Sequence, residues 1–259
     1  MRVLLLVLTI LVHSNSAISQ EDTLSKYSYL IYGDISPTAV EKGTVSFVRY
    51  KGELYLLTAH HVLTGWNCNY HFQTKNYPKT MYVRVNSKTD NHYVFIPINI
   101  IPYTKKKYNF YYWEKPDICL LKINIPSTDT VNSIEKLMYK SNRAISDTVI
   151  SYGYPIFNTK SKNEIITRKP EFGYGRIVTK TLAKVWTHQD SNVKDSINYI
   201  LKLYNDSRLS AGYSGAPVFC KTNDGYSFCG IINGGTKEAA IIVKPQFIFD
   251  FIKNSKTLN

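Results

Sequence analysis

The chain has 259 residues, 44% hydrophobic and 20% charged, with 32 Lys and Arg against 19 Asp and Glu and a formal net charge of +13. That is too apolar for a disordered chain, and the length suits one domain or two small ones. The positive balance either reflects solubility and a Lys-rich composition or suits an anionic surface or glycan as a partner. Nucleic acid is not expected, because no basic motif of a nucleic-acid fold accompanies the charge and Lys105-Lys106-Lys107 reads as a solvated loop tip.

The chain opens Met1-Arg2, continues with an apolar run from Val3 to Val12, and leaves it through Ser16, Ala17 and Ser19. A positive start, a short apolar run and a small-residue exit form a secretory signal peptide over residues 1–19. The run is too short to span a bilayer, so the expectation is a secreted product with no membrane attachment after cleavage. Gly43 to Tyr50 alternates as a strand, Lys51-Gly52 turns, and Glu53 to Ala59 returns as a second strand that delivers His60, His61 and Val62 at its end. Short strands follow at Met81–Val85 and Tyr93–Ile101. The aromatic cluster from Tyr108 to Trp113 reads as packing rather than a base-stacking platform. Pro116-Asp117 opens a nearly continuous apolar strand, Ile118 to Ile123.

Pro126 to Arg143 is a turn-rich connection with one weakly helical piece, Ser133 to Tyr139. Strands resume at Thr148–Pro155, followed by a polar loop over Asn158–Pro170 and strands at Gly175–Thr179 and Tyr199–Leu203. The chain closes with Ile231–Gly235, a strand Ala239–Val243 and a terminal helix Pro245–Lys253. Many short strands without helix–strand alternation argue an all-β architecture, a sandwich or barrels. The limits read are an N-terminal half at 20–128, a connector at 129–143, a C-terminal half at 144–244, and a helix and tail at 245–259.

All four Cys follow the leader, in a compartment that permits disulfides. Cys220 and Cys229 flank an Asp224-Gly225 hairpin signal. A turn centred there pairs Asn223 with Tyr226, Thr222 with Ser227, Lys221 with Phe228 and Cys220 with Cys229, on a close pair where a disulfide is plausible. Cys68 and Cys119 either pair or leave Cys119 as a buried thiol. Asn205 begins an Asn-x-Ser sequon, which could carry a glycan.

Gly212-Tyr213-Ser214-Gly215-Ala216-Pro217 runs straight into an apolar strand. A Ser between two glycines sits on a sharp turn, with its Oγ accessible and backbone N–H groups beside it, and these are a nucleophile and an oxyanion hole. Such a nucleophile needs a base near neutral pKa, usually His, and the base needs an acid that fixes its tautomer. The strand ends at His60-His61 and Asp117 supply those types. Singly, each has an ordinary reading as a turn, a loop His or a strand-end cap. In the order His, Asp, Ser they form a set.

The set resembles the trypsin-like serine proteases. Thr58-Ala59-His60-His61-Val62 resembles their T-A-A-H-C box, Asp117-Ile118-Cys119-Leu120-Leu121-Lys122 their D-I-A-L-L-K box, and Gly212 to Pro217 their G-D-S-G-G-P box, in the same chain order. Tyr152-Gly153-Tyr154-Pro155 resembles the G-Y-P element of HtrA-type members. The resemblance implies two six-stranded antiparallel β-barrels of the chymotrypsin fold with the site between them and a short C-terminal helix. It implies His61 as base, with His60 in the Ala position, Asp117 as orienting acid, and Ser214 as nucleophile. The N–H groups of Gly212 and Ser214 would form the oxyanion hole, and Asn233, Gly234 and Gly235 would line the cleft. The substrate would be a protein or peptide, with no metal and no cofactor.

Trypsin-type zymogens carry Asp immediately before the serine, to pair with a newly cleaved N-terminus. Tyr213 stands there instead, which argues against that activation and places the chain nearer the HtrA-type, bacterial or viral members. Arg208, six residues before the Ser, either selects an acidic side chain at the cleavage site or faces solvent after the exposed turn Asn205-Asp206-Ser207. Two rival readings remain. One is a protease-fold binding protein without activity; the other is a glycan-binding β-protein.

Overall fold

The computed structural model describes residues 23–36, 39–64, 80–87, 92–99, 111–113, 116–125, 129–138, 148–155, 162–178, 198–203, 212–223, 225–235 and 239–255. The leader, Cys68, Lys105–Lys107, Asn205 and Arg208 lie outside them. A 3₁₀ turn, Thr23–Tyr27, leads into β1 (Tyr29–Ser36), β2 (Ala39–Tyr50) and β3 (Glu53–Thr58). The five-residue helix α1 (His60–Thr64) follows, then β4 (Thr80–Ser87), β5 (Tyr93–Asn99), β6 (Tyr111–Trp113), β7 (Ile118–Lys122), β8 (Asp129–Thr130) and α2 (Glu135–Met138). The second half holds β9 (Thr148–Gly153), α3 (Lys162–Thr167), β10 (Glu171–Val178), β11 (Asn198–Leu203), β12 (Pro217–Thr222), β13 (Gly225–Gly235), β14 (Ala239–Val243) and α4 (Pro245–Asn254).

The second half is the expected six-stranded closed barrel, in the order β10-β11-β14-β13-β12-β9. The first half pairs as β5-β4-β1-β2-β3-β7-β6, with β8 on β4. Its six long strands are extended by the two short pieces β6 and β8, and β8 falls where the connector was expected to begin. The β2–β3 hairpin turns at Lys51 (φ 50°) and Gly52 (φ 82°), the left-handed pair that matches strand twist in a two-residue turn.

The nearly continuous apolar runs are explained by burial on both faces. In β3, Leu54 and Leu56 enter the core of the first half, while Tyr55 and Leu57 enter a second cluster shared between the halves. β7 does the same, with Cys119 and Leu121 on one side and Ile118 and Leu120 on the other. In β12, Val218 and Cys220 fill the closed barrel and Phe219 turns to the shared cluster. α4 completes that cluster through Ile248, Phe251 and Ile252, one helical stripe. Each such side chain contributes about 1.5–3 kcal/mol by leaving water.

Two expectations along the chain are corrected. Residues 162–167, read as part of a polar loop, form α3, where the Thr167 hydroxyl donates to the Asn163 carbonyl one turn back (2.8 Å). β10 begins at Glu171 rather than Gly175. Its inward positions there are Gly173 and Gly175, so no apolar side chain marks the alternation.

The cysteine hairpin is also corrected. Thr222 pairs with Gly225, Lys221 with Tyr226, and Cys220 with Ser227 rather than with Cys229, so the register lies two residues from the expected one. Strand side chains alternate with period two, so a slip of two keeps every residue on its face. A bulge between Val218 and Phe219 then leaves Cys229 as an extra residue opposite that step. Cys229 remains within reach of Cys220, and the two form a disulfide at a Cα–Cα distance of 5.7 Å. Cys119 is a free buried thiol. Replacing both Cys220 and Cys229 with Ser should lower unfolding stability by about 2–3 kcal/mol, the loop-closure value for so short a ring, read from urea denaturation. An unchanged urea midpoint would remove the cross-link from the stability of the barrel.

Candidate active site

Asp117 immediately precedes β7, and its backbone sits in the left-handed region at φ 64°, a conformation Asp tolerates better than most side chains. Its carboxylate takes two hydrogen bonds from one residue: the His61 backbone N–H to Oδ1 (2.9 Å) and the His61 ring Nδ1 to Oδ2 (2.6 Å). The first satisfies an N–H in the opening turn of α1, which has no partner inside so short a helix. Because an ionised carboxylate only accepts, the proton lies on Nδ1, which leaves Nε2 as the basic nitrogen. The His60 N–H donates to the Asp117 carbonyl (3.3 Å), so the two histidines use different groups of the same Asp. Of the pair, His61 receives the carboxylate, as the box alignment implies. The His60 ring is 1% exposed. Burial pushes its pKa down to about 4, with the Asp117 carboxylate opposing that shift and His61 adding to it.

The serine turn arrives from the other half. Gly212 (φ 100°) and Gly215 (φ 85°) take backbone conformations that side chains avoid. At Gly215 a Cβ would overlap the Thr44 carbonyl and the Thr58 hydroxyl, so β2 and the end of β3 lie directly against the turn. At Gly43 a Cβ would meet Val62, next to His61, at 2.7 Å and the Ser214 carbonyl at 3.4 Å. His61 and Ser214 are thus both delivered to the same stretch of β2. Among the described residues neither the Gly212 nor the Ser214 N–H is donated to another protein group.

Thr44 is a site residue that sequence reading missed. Its N–H donates to the Ser214 carbonyl (3.0 Å) and its hydroxyl to the Gly212 carbonyl (2.7 Å). The Tyr154 N–H donates to that hydroxyl (3.1 Å), and the Thr58 hydroxyl donates to the Thr44 carbonyl (2.7 Å). The signal was available: Thr44 and Ser46 interrupt a strand that is buried at every position from Gly43 to Val48. A polar side chain there requires internal partners.

Tyr213 is 1% exposed and packs inside the closed barrel. Its hydroxyl donates to the Glu171 carbonyl (2.9 Å). Its ring lies where a Cβ on Gly153 would be, which accounts for the glycine in Tyr152-Gly153-Tyr154-Pro155. Burial raises the phenol pKa, with Glu171 reinforcing the shift.

Asn233 lies at a register shift of β13 between Ile232 and Gly234, and its side-chain N–H donates to the Pro116 carbonyl (2.8 Å). That contact ties the strand expected to line the cleft to the residue before Asp117. Gly234 faces open space, whereas Gly235 packs against the backbone of Ala239 and Ala240. Among the described residues no group of three or more His, Cys, Asp or Glu is arranged to hold a metal ion.

The family model described as a trypsin-like peptidase domain matches residues 43–226, a span containing the His, Asp and Ser boxes. Among solved structures, the crystal structure of Rv3671c protease from M. tuberculosis in its active form superposes with a TM-score of 0.50 at 12% identity. The match covers 91% of this chain and 83% of that one, and it is a likeness of fold. No curated protein matches the sequence significantly.

The buried His60 makes a pH prediction. The folded protein keeps His60 neutral down to about pH 4, whereas the unfolded chain takes up that proton near pH 6.5. The unfolded state therefore binds more protons across this window, and stability falls as pH drops through it, by up to about 3 kcal/mol from this group. His60→Ala should lose less stability than the parent between pH 7 and pH 4.5, measured by urea midpoints. An equal loss in both proteins would remove His60 as the cause.

Proposed function

Since the chain belongs to the trypsin-like peptidase family and is a trypsin-like serine protease, we propose that Ser214, His61 and Asp117 are its nucleophile, general base and orienting acid. The observation that carries the reading is the paired bond of the Asp117 carboxylate to the His61 backbone and ring. It fixes the tautomer in which Nε2 accepts a proton. Ser214 Oγ attacks the scissile carbonyl as its proton passes to His61 Nε2. Asp117 holds the resulting imidazolium, and the N–H groups of Gly212 and Ser214 receive the oxyanion. The C–N bond then breaks as His61 returns the proton to the leaving amine. The acyl-enzyme is hydrolysed by the same steps, with water in place of Ser214.

Asn233, Gly234 and Gly235 are proposed to line the substrate cleft. The units are proposed as an N-terminal half at 20–128, a connector at 129–143, a C-terminal half at 144–244, and a helix and tail at 245–259. Export through the leader at 1–19 is supported by the disulfide Cys220–Cys229, a bond kept in oxidising compartments. Among the described residues no helix is long and apolar enough to cross a membrane. The substrate is a protein or peptide, and the basic surface would favour one carried on an anionic surface or glycan.

A fluorophosphonate probe tests the chemistry. The parent should label, and Ser214→Ala should not, with turnover of a peptide substrate falling by about 10⁴-fold or more. His61→Ala should fall comparably while His60→Ala retains turnover; the reverse pattern would move the base to His60. A well-folded parent that never labels would favour the inactive binding protein. A diverse peptide library decides Arg208: cleavage after acidic residues that is lost in Arg208→Ala supports a selecting role, and an unchanged profile assigns Arg208 to solvent.

A further inference from the structure

The oxyanion turn is held by its carbonyl groups, and one residue takes two of the three. Peptide units are planar, so fixing a carbonyl fixes the N–H of the next residue. The Ala216 N–H donates to the Tyr213 carbonyl (2.8 Å), and this orients the plane that carries the Ser214 N–H. The planes on either side are held through the Gly212 carbonyl, taken by the Thr44 hydroxyl (2.7 Å), and the Ser214 carbonyl, taken by the Thr44 N–H (3.0 Å). The Gly215 N–H of that last plane donates to the Ile232 carbonyl (2.6 Å). Thr44 is itself fixed: it is 0% exposed, its carbonyl accepts from the Thr58 hydroxyl, and its hydroxyl accepts the Tyr154 N–H from the second half.

Resting on the oxyanion role proposed for Gly212 and Ser214, we propose that Thr44 is a positioning residue of the reaction, a clamp on β2 that holds, from the opposite half of the molecule, the two peptide planes flanking the one that carries the Ser214 N–H. The job requires a hydroxyl, because the group must donate to Gly212 and accept from Tyr154 at one point. An oxyanion hole acts on charge that exists only in the transition state, so loosening the turn lowers kcat and leaves ground-state binding along β13 intact. A residue that merely packs the seam would lower stability without that selectivity.

The test compares Thr44→Val, which keeps the shape and removes the hydroxyl, with Thr44→Ser, which keeps the hydroxyl. For the Val variant kcat on a peptide substrate should fall about 10- to 100-fold, with KM changed by less than about twofold. The rate of fluorophosphonate labelling should fall in parallel, and the Ser variant should restore both. A folded Val variant with the parental kcat, a loss confined to KM, or a Ser variant no better than Val would overturn the inference. Should the Val variant not fold, Thr44→Cys, with its weak thiol donor, decides in the same way: reduced kcat with steady KM supports the clamp, and full kcat overturns it. If the parent itself neither labels nor cleaves, the proposed catalytic reading fails and the clamp has no reaction to serve.

Discussion

The site depends on a joint between two sheets that share no strand pairing among the described residues, and the joint is the backbone of β2 at Gly43-Thr44. The helix α1, which carries His61, and the serine turn both pack against it. Both approaches are closer than side chains would allow, which is why Gly43 and Gly215 face each other's elements. The polar seam continues outward. The Ser28 hydroxyl donates to the Tyr152 carbonyl (2.8 Å), the Tyr154 hydroxyl to the Ser28 carbonyl (3.3 Å), and the buried Arg84 guanidinium to the Tyr154 hydroxyl (3.2 Å). Apolar burial alone holds two faces together at many rotations, whereas directional hydrogen bonds select one. Here the apolar cluster between the halves supplies adhesion and the seam supplies angle.

The second half meets the same demand with a different residue. Where a zymogen of the trypsin type would place a carboxylate that waits for a new N-terminus, this chain has a tyrosine inside the barrel, bonded to a carbonyl of β10 and seated against Gly153. Those contacts are made by the fold itself.

Much of this was legible in the residues. The β2–β3 hairpin was marked by the alternation of Gly43–Tyr50 and by Lys51-Gly52, β14 by its apolar run and α4 by its place at the end of the chain after Pro245. The His and Asp boxes named the residues joined in the His61–Asp117 pair, and the Ser box named the turn that packs against β2. What was hidden has physical reasons. β10 faces its barrel with Gly173 and Gly175, so its pattern is silent. The Cys220 hairpin slipped by two because its turn sequence offers adjacent solutions that keep every side chain on the same face. Thr44 stayed invisible because a hydroxyl in a strand signals a partner without saying where that partner is. Asn233 was read as a cleft residue, and nothing in the sequence says that its amide reaches Pro116.

The bulge at Cys229 puts both sulfurs in the interior of the closed barrel beside Val218, Ala216 and Ile232. Thiol–disulfide exchange needs an attacking thiolate to reach a sulfur in line with the bond. No small reductant can do so while the six strands stay closed, so the lifetime of this bond in a reducing medium is set by how often the barrel opens rather than by its equilibrium with the surrounding thiols. A molecule that has once oxidised and closed would carry its cross-link through a change of redox surroundings, losing it only at the rate at which it comes apart.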